Sequence, residues 1–224
     1  MNFEEFPKMG RLTRECVITE KIDGTNAQVH IVVLPDNAVM PTETPIVAVR
    51  PNPNDAGGEH TLLLYAGSRN RYITPDADNF GFASWVRDHA DALVALGPGR
   101  HFGEWWGAGI QRRYGLAEKR FSLFNVARWH RAGEAPYVTE SADARIAPKV
   151  SSEAPACCHV VPVLFRGLFS DGAVNGMIAK LTHGGSVAAP GFMDPEGIVI
   201  YHTAAGTMFK KTLKKDDQPK GRVA

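Results

Sequence analysis

The 224 residues suffice for one substantial domain or two small ones. With 44% hydrophobic and 22% charged residues and a net charge of +1, the composition is that of an ordinary globular chain, and global charge does not announce a nucleic-acid binder. No apolar run approaches the roughly 18 residues that a membrane helix needs, and residues 1–14 are mixed and charged, so no membrane association and a cytoplasmic location are expected.

The cysteines are Cys16, Cys157 and Cys158. Their odd count and lack of C-x-x-C spacing argue against a disulfide framework or a zinc knuckle. Small, semi-apolar cysteines starting a buried strand explain Cys157-Cys158 better.

In chain order, Val17 to Glu20 and Ala27 to Val33 read as strands joined at Lys21-Ile22-Asp23-Gly24. In the second, Ala27, Val29, Ile31 and Val33 share one face. Residues 35–60 hold five prolines together with Asn52, Asn54, Asp55 and Gly57-Gly58, which is loop chemistry interrupted by a short strand, Ile46 to Val49. Thr61 to Gly67 reads as a strand that delivers Ser68-Arg69-Asn70-Arg71. Asn79 can cap a helix running to about Leu96, with Phe82, Trp85, Val86, His89 and Leu93 on one face and Gly97-Pro98 stopping it.

Arg100 to Trp105 and Phe121 to Val126 read as strands, residues 130–156 as irregular, and His159 to Phe165 as one buried strand in which Pro162 predicts an edge or bulge. Ala173 to His183 is predicted as a helix with the stripe Val174, Met177, Ile178 and Leu181, ended by Gly184-Gly185. Glu196 to His202 and Thr207 to Leu213 form a predicted hairpin over Ala204-Ala205-Gly206. Strands linked by short turns favour an α+β fold of mixed or antiparallel sheets over a doubly wound parallel one. Lys210, Lys211, Lys214, Lys215, Lys220 and Arg222 crowd the C-terminus, partly offset by Asp216 and Asp217. Such a run is either a solvated tail or a phosphate-facing patch.

Lys21-Ile22-Asp23-Gly24 alone is weak, because Asp-Gly is ordinary hairpin chemistry. An ordered set follows it: Phe102-Gly103-Glu104, Phe121-Ser122-Leu123-Phe124-Asn125-Val126, Glu196-Gly197-Ile198-Val199-Ile200 and Phe209-Lys210-Lys211. This order resembles motifs I, III, IIIa, IV and V of the covalent lysyl-nucleotidyltransferase superfamily of DNA ligases, RNA ligases and mRNA capping enzymes. Ser68-Arg69 resembles the arginine-bearing segment between motifs I and III. Thr19-Glu20-Lys21-Ile22 with Asn26, and Phe102-Gly103-Glu104 followed by Gly109-Ile110-Gln111, look most like the bacteriophage-type ATP-dependent RNA ligases.

The resemblance implies one nucleotidyltransferase domain over 1–224, with two mainly antiparallel sheets flanked by helices. The basic tail spans 214–224, and the chain's shortness leaves no room for a C-terminal oligonucleotide-binding barrel. Lys21 would attack the α-phosphorus of ATP, pass AMP to a 5′-phosphate end of RNA, and a 3′-hydroxyl would then displace AMP. The attacking amine must be neutral, whereas a free lysine titrates near about 10.4, so neighbouring cations and desolvation have to favour the neutral form.

Within that scheme, backbone atoms of Glu20 would read adenine. Ile22, Asp23 and Gly24 complete the nucleotide-binding signature, with Gly24 letting the backbone approach the nucleotide. Asn26, Arg69 and Glu104 would engage the ribose and phosphate surroundings, and Phe124 rather than Phe121 would stack on the purine. Glu196 would hold Mg²⁺ or Mn²⁺, which suits a hard oxygen ligand. Lys210 and Lys211 would stand by the phosphates. Adjacent strand residues face opposite ways, so one of the two should reach the α-phosphate, and Lys210 is preferred. Two departures from the family pattern stand out: Asn125 where an aspartate is common, and adjacent lysines with Met208 in place of Lys-x-Lys. The alternatives to an RNA ligase are a minimal DNA nick ligase and a nucleotide-binding module without turnover.

Overall fold

The computed structural model describes residues 3–6, 9–35, 38–41, 45–53, 60–139 and 147–214. In chain order these form strands β1 (Glu15–Lys21), β2 (Thr25–Leu34), β3 (Ala48–Pro51), β4 (Thr61–Gly67) and β5 (Tyr72–Ile73), then helices α1 (Phe82–Asp88) and α2 (Ala90–Leu93). Strands β6 (Gly99–Gly107) and β7 (Lys119–Leu123) follow, with the two-residue strands β8 (Trp129–His130), β9 (Val138–Thr139), β10 (Lys149–Val150) and β11 (Ser152–Glu153). The rest comprises β12 (Cys158–Val160), β13 (Val163–Leu168), helix α3 (Asp171–Gly184), β14 (Gly197–His202) and β15 (Thr207–Thr212). Asn54, Asp55, Gly57 and Gly58 of the long loop, and Lys215, Lys220 and Arg222 of the basic tail, lie outside the described residues.

The fold is α+β, and within its two main sheets every recorded pairing except β7 with β12 is antiparallel. The described residues divide into two compact units: those up to Ile22 together with those from Val161 on, and those from Asp23 to Val160.

The first unit is a four-stranded sheet, ordered β13-β1-β14-β15. Alternation along β1 and β14 turns Cys16, Ile18, Ile198 and Ile200 to one face, where they bury Val174 and Leu181 of α3. Met177 and Ile178 of the expected stripe pack against this core while remaining partly exposed. Helix α3 begins where the Ser170 hydroxyl accepts the Ala173 N–H at 3.1 Å, satisfying one of the donors that a helix start leaves open.

The second unit is a seven-stranded sheet, ordered β12-β7-β6-β2-β4-β3 with β5 added beside β4. Ala27, Val29 and Ile31 are buried on one face, while Val33 at the strand's end is half-buried. Phe82 and Trp85 of α1 cover that face, their rings 5.1–5.6 Å from those of Phe121 and Trp105.

Several expectations are corrected. Asn79 does not cap the first helix. Gly81 holds the N-cap position, and the Asp78 carboxylate reaches in from before it, accepting the Asn79, Ala83 and Ser84 N–H groups and the Ser84 hydroxyl at 2.7–2.9 Å. The helix is also interrupted at His89, whose φ of −110° and ψ of 15° leave the helical range before Ala90–Leu93 resumes it. The apolar periodicity runs through the break because both halves bury the same side.

His159 to Phe165 is not one strand. Pro162 lacks the N–H that a sheet ladder needs, and the run splits there into β12, paired with β7, and β13, paired with β1 in the other sheet. The bulge expected near Pro162 lies just beyond it, where Ile18 and Thr19 face Phe165 and Val163 and leave Leu164 over. The strand predicted for Ile46 to Val49 is shifted to Ala48–Pro51, and that predicted for Phe121 to Val126 stops at Leu123.

Candidate active site

The Lys-x-Asp-Gly signature straddles the division of the chain: Lys21 ends β1 in the first unit, and Asp23 and Gly24 open the second.

In the first unit, the Lys21 ammonium donates to the carboxylate of Glu196 in an ion pair whose side chains are 21% and 5% exposed. Pairing β1 with β14 brings the two together, since Lys21 lies opposite Gly197. Gly197 cannot be replaced freely. A Cβ there would stand 2.2 Å from the Lys211 carbonyl oxygen and 2.7 Å from Thr212 Cα, so only glycine lets β14 and β15 close beside the acid.

The sheet register separates the two motif V lysines. Residues directly opposite in antiparallel strands share a face. Lys21, Gly197 and Thr212 form one row, and Thr19, Val199 and Lys210 the next. Lys210 therefore stands on the face of Lys21. Lys211, opposite Ile198, belongs to the face that packs on α3. Met208, two positions before Lys210, stands opposite Tyr201 on the face of Lys210.

Glu20 is buried on that α3 face, beside Ile198. Its carboxylate accepts the Ser186 hydroxyl at 2.6 Å and the Val187 and Ala188 N–H groups at 2.8 Å. Burial pushes its pKa up, and those three donors hold it part-way back. The side chain thus pins the 186–189 loop beside the last residue of β1. Nothing in the sequence spacing signals this link, which joins positions 166–168 residues apart. Ile22 is buried as well.

In the second unit, Gly24 donates its N–H to Glu104 Oε1 at 3.0 Å, and Asn26 pairs with Glu104 across β2 and β6, so the two side chains share a face. A Cβ on Gly24 would lie 2.5 Å from the Trp105 carbonyl oxygen and 2.7 Å from Trp106 Cβ. The close approach that Gly24 permits in this structure is to β6.

Asp23 is clamped as well. Its N–H donates to the Tyr114 hydroxyl at 2.8 Å, and its carboxylate accepts Arg112 Nε at 3.1 Å. Both partners come from the loop after β6, where Gln111, Arg113 and Tyr114 have left-handed φ of 44°, 59° and 51°. Such non-glycine backbone costs energy and persists where surrounding contacts hold it. The T-shaped packing of Tyr114 on Trp106 supplies one of them. Gly109-Ile110-Gln111 marked this loop in the sequence, but not the residues in it that reach Asp23.

Phe124 follows β7 and is 37% exposed, whereas Phe121 is 0% exposed in the core, so Phe124 is the ring accessible for stacking. Asn125 shapes the turn after it, its side-chain oxygen accepting the Arg128 N–H at 3.0 Å, a bond that an aspartate would make equally well. Arg69 is exposed on the turn between β4 and β5.

Among the described residues no group of three or more His, Cys, Asp and Glu side chains could form a metal cage. Glu196 offers a single carboxylate, a hard oxygen donor. That fits Mg²⁺ or Mn²⁺, which can be held by one or two carboxylates together with substrate phosphates and water, better than it fits a dedicated protein cage. No helix of the described residues is long and apolar enough to cross a membrane.

Residues 14–214 match the family model for RNA ligase. No curated protein matches the chain. Among solved structures, an RNA ligase mutant of Naegleria gruberi in its apo form has a TM-score of 0.51 at 16% identity, over 91% of this chain and 50% of its own. Two further mutants of Naegleria gruberi RNA ligase, both with ATP and Mn, reach TM-scores of 0.49 and 0.48 at 16% identity, covering 91% and 89% of this chain and 51% and 50% of theirs. The chain spans about half the length of these solved relatives. The apo structure shares its fold, and the family model covers nearly the whole described chain: the chain belongs to the RNA ligase family.

Proposed function

We propose that this chain is an ATP-dependent RNA ligase that becomes adenylylated on Lys21. The observation that carries the reading is the Lys21–Glu196 ion pair, with Lys210 on the same sheet face as Lys21. An amine held against an acid at the end of a strand has a defined direction, which a displacement at phosphorus requires.

In the first step the Lys21 nitrogen gives up its proton and bonds the α-phosphorus of ATP. The bond from that phosphorus to the bridging oxygen breaks, and pyrophosphate leaves with the electron pair. The carboxylate of Glu196 contacts the amine and fixes its direction, and the proton leaves to solvent. Lys210 supplies fixed positive charge for the transferring phosphate. Glu196 would hold a divalent cation, which offsets negative charge on the phosphates and favours a neutral amine beside it. Asn26, Arg69 and Glu104 engage the ribose and phosphate surroundings, backbone atoms of Glu20 read adenine, and Phe124 stacks on it. In the later steps AMP passes to a 5′-phosphate end, and a 3′-hydroxyl displaces it to form the phosphodiester.

The contacts around motif I support this reading through positioning. Asp23 and Gly24, in the segment that follows Lys21, are hydrogen-bonded to Tyr114, Arg112 and Glu104. A cytoplasmic location and a single nucleotidyltransferase domain go with the proposal. The test is incubation with α-labelled ATP and Mg²⁺ or Mn²⁺. A labelled band that survives denaturation supports the enzyme, and its absence leaves a nucleotide-binding module. Matched nicks carrying RNA or DNA on the 3′-hydroxyl side then separate an RNA ligase from a DNA nick ligase.

A further inference from the structure

The seven-stranded sheet has a face that α1 does not cover. The row beginning at Asn26 and Glu104 continues along it through Gln28 opposite Phe102 and His30 opposite Arg100, then to Tyr65 on β4 and Tyr72 on β5. From Glu104 to Arg100 is about 13 Å along β6. Beyond Glu104 this stretch of sheet is aromatic and basic.

Its parts are locked to one another. The rings of His30 and Tyr72 stack at 6.0 Å with 9° between their planes, and Tyr65 lies 5.7 Å and 5.3 Å from them. His30 Nδ1 and the Tyr72 hydroxyl share a hydrogen bond of 2.6 Å. Arg100 Nη1 donates to that hydroxyl at 3.0 Å and to Gln28 Oε1 at 3.2 Å, and its guanidinium stands 5.9 Å above the Tyr72 ring. A phenol and a carboxamide fix the guanidinium without neutralising it. Burial, and after it the charge of Arg100, hold the His30 pKa below the ordinary histidine range, so His30 is mainly neutral near pH 7 and Arg100 carries the charge. Phe102, next along the row, is 48% exposed. Arg71, on the turn leading into Tyr72, is exposed as well.

An exposed ring followed by an arginine that, among the described residues, is held by neutral groups is the pairing that single-stranded nucleic acid uses: a base stacks on the aromatic face, and a phosphate meets the cation. Gln28, His30, Tyr65, Tyr72, Arg100 and Phe102 include no carboxylate that would repel a phosphate. We infer that this face binds single-stranded RNA, with a base on Phe102 and a backbone phosphate on Arg100, next to the nucleotide-binding residues Asn26 and Glu104. The inference rests on the ligase reading and names a surface on which its polynucleotide substrate is held. The pattern was not visible in the sequence, because its six side chains come from four separate strands.

Arg100 and Phe102 are both exposed, so their replacement leaves the core intact. The test measures fluorescence anisotropy of a labelled, 5′-phosphorylated single-stranded RNA against the full chain and its Arg100→Gln and Phe102→Leu variants across a salt series. Enzyme–AMP formation is followed in parallel. Loss of a stacking face should weaken binding at least about fivefold in Phe102→Leu, with the salt dependence unchanged. Arg100→Gln should weaken binding, make the slope of log affinity against log salt shallower by about 0.7, and form enzyme–AMP as the parent does. Parent-like RNA affinity in either variant overturns the proposal. So does a parent chain that forms enzyme–AMP yet does not bind this RNA, and that outcome leaves the ligase reading standing. A parent chain that binds RNA through both residues but never forms enzyme–AMP upholds this surface and removes the ligase reading instead.

Discussion

The Lys21 ammonium rests against the carboxylate of Glu196, 175 positions further along the chain. Lys21→Arg preserves a cation for that pair but cannot supply a neutral nitrogen, because a guanidinium stays protonated. Both Lys21→Arg and Lys21→Ala should therefore abolish the AMP adduct. Mass spectrometry of the parent chain after incubation with ATP should place AMP on Lys21. An adduct on any other lysine would sink the assignment.

Glu196→Gln keeps the shape of the side chain and removes its charge. Adenylylation should fall by at least about 100-fold, the scale seen when one electrostatic stabiliser is taken from a site. Its residual dependence on divalent cation should weaken too, read as the rate against Mg²⁺ or Mn²⁺ concentration. A Glu196→Gln variant that labels at the parent rate would show that this acid neither holds the cation nor serves the amine.

The two motif V lysines provide a test of strand register. Lys210 lies two positions from the row of Lys21 on the same face, whereas Lys211 lies opposite Ile198 on the α3 face. Lys210→Ala should slow enzyme–AMP formation far more than Lys211→Ala does, both measured with α-labelled ATP under one condition. The reverse ranking would mean that the working conformation pairs β14 and β15 one residue out of this register.

Tyr114→Phe deletes the acceptor for the Asp23 N–H and leaves the packing on Trp106 in place. Losing the partner of a part-buried donor costs about 1–3 kcal/mol. Chemical denaturation should show a loss on that scale, with adenylylation reduced as well because Asp23 and Gly24 lie two and three residues after the proposed nucleophile, Lys21. An unchanged midpoint and rate would make the clamp incidental.

Asp78 accepts four hydrogen bonds, two of them from the Ala83 and Ser84 N–H groups that open α1, so Asp78→Ala should cost about 0.5–2 kcal/mol near neutral pH. Burial pushes the Asp78 pKa up, but those hydrogen bonds outweigh it and hold the value below the usual carboxylate range. A folded-state pKa depressed below its unfolded value of about 3.9 gives stability that is complete above that pH and is lost as pH falls through the folded value. The gap between parent and variant, read from denaturation midpoints, should be constant above about pH 5 and shrink below about pH 4. A gap that widens on acidification would contradict this sign.

Local pattern made much of the fold legible. Alternation along Ala27, Val29 and Ile31 marked β2 and its buried face, and the three-four spacing of Val174 and Leu181 marked α3. The failures came where a side chain acts at a distance. Asp78 reaches past Asn79 to Ala83 and Ser84, and the break at Pro162 sends one apolar run into two sheets.

By itself the sequence determined the order of chemical groups: a lysine before Asp-Gly, two acids beside glycines, a pair of aromatics, and two adjacent lysines at the end. It also determined that adjacent lysines on a strand must part to opposite faces, since a period of two is a local property of the backbone. Only the tertiary structure decided which lysine shares the face of Lys21, that Glu196 meets that amine, that Tyr114 and Arg112 hold Asp23, and that Phe102 and Arg100 line one open face with Tyr72. The strand neighbours among these depend on the register between strands far apart in the chain, and the loop contacts on where those strands place their ends. A shift of one residue would turn every side chain of a strand to its other face, so such neighbours are set by long-range pairing and packing and not by local sequence.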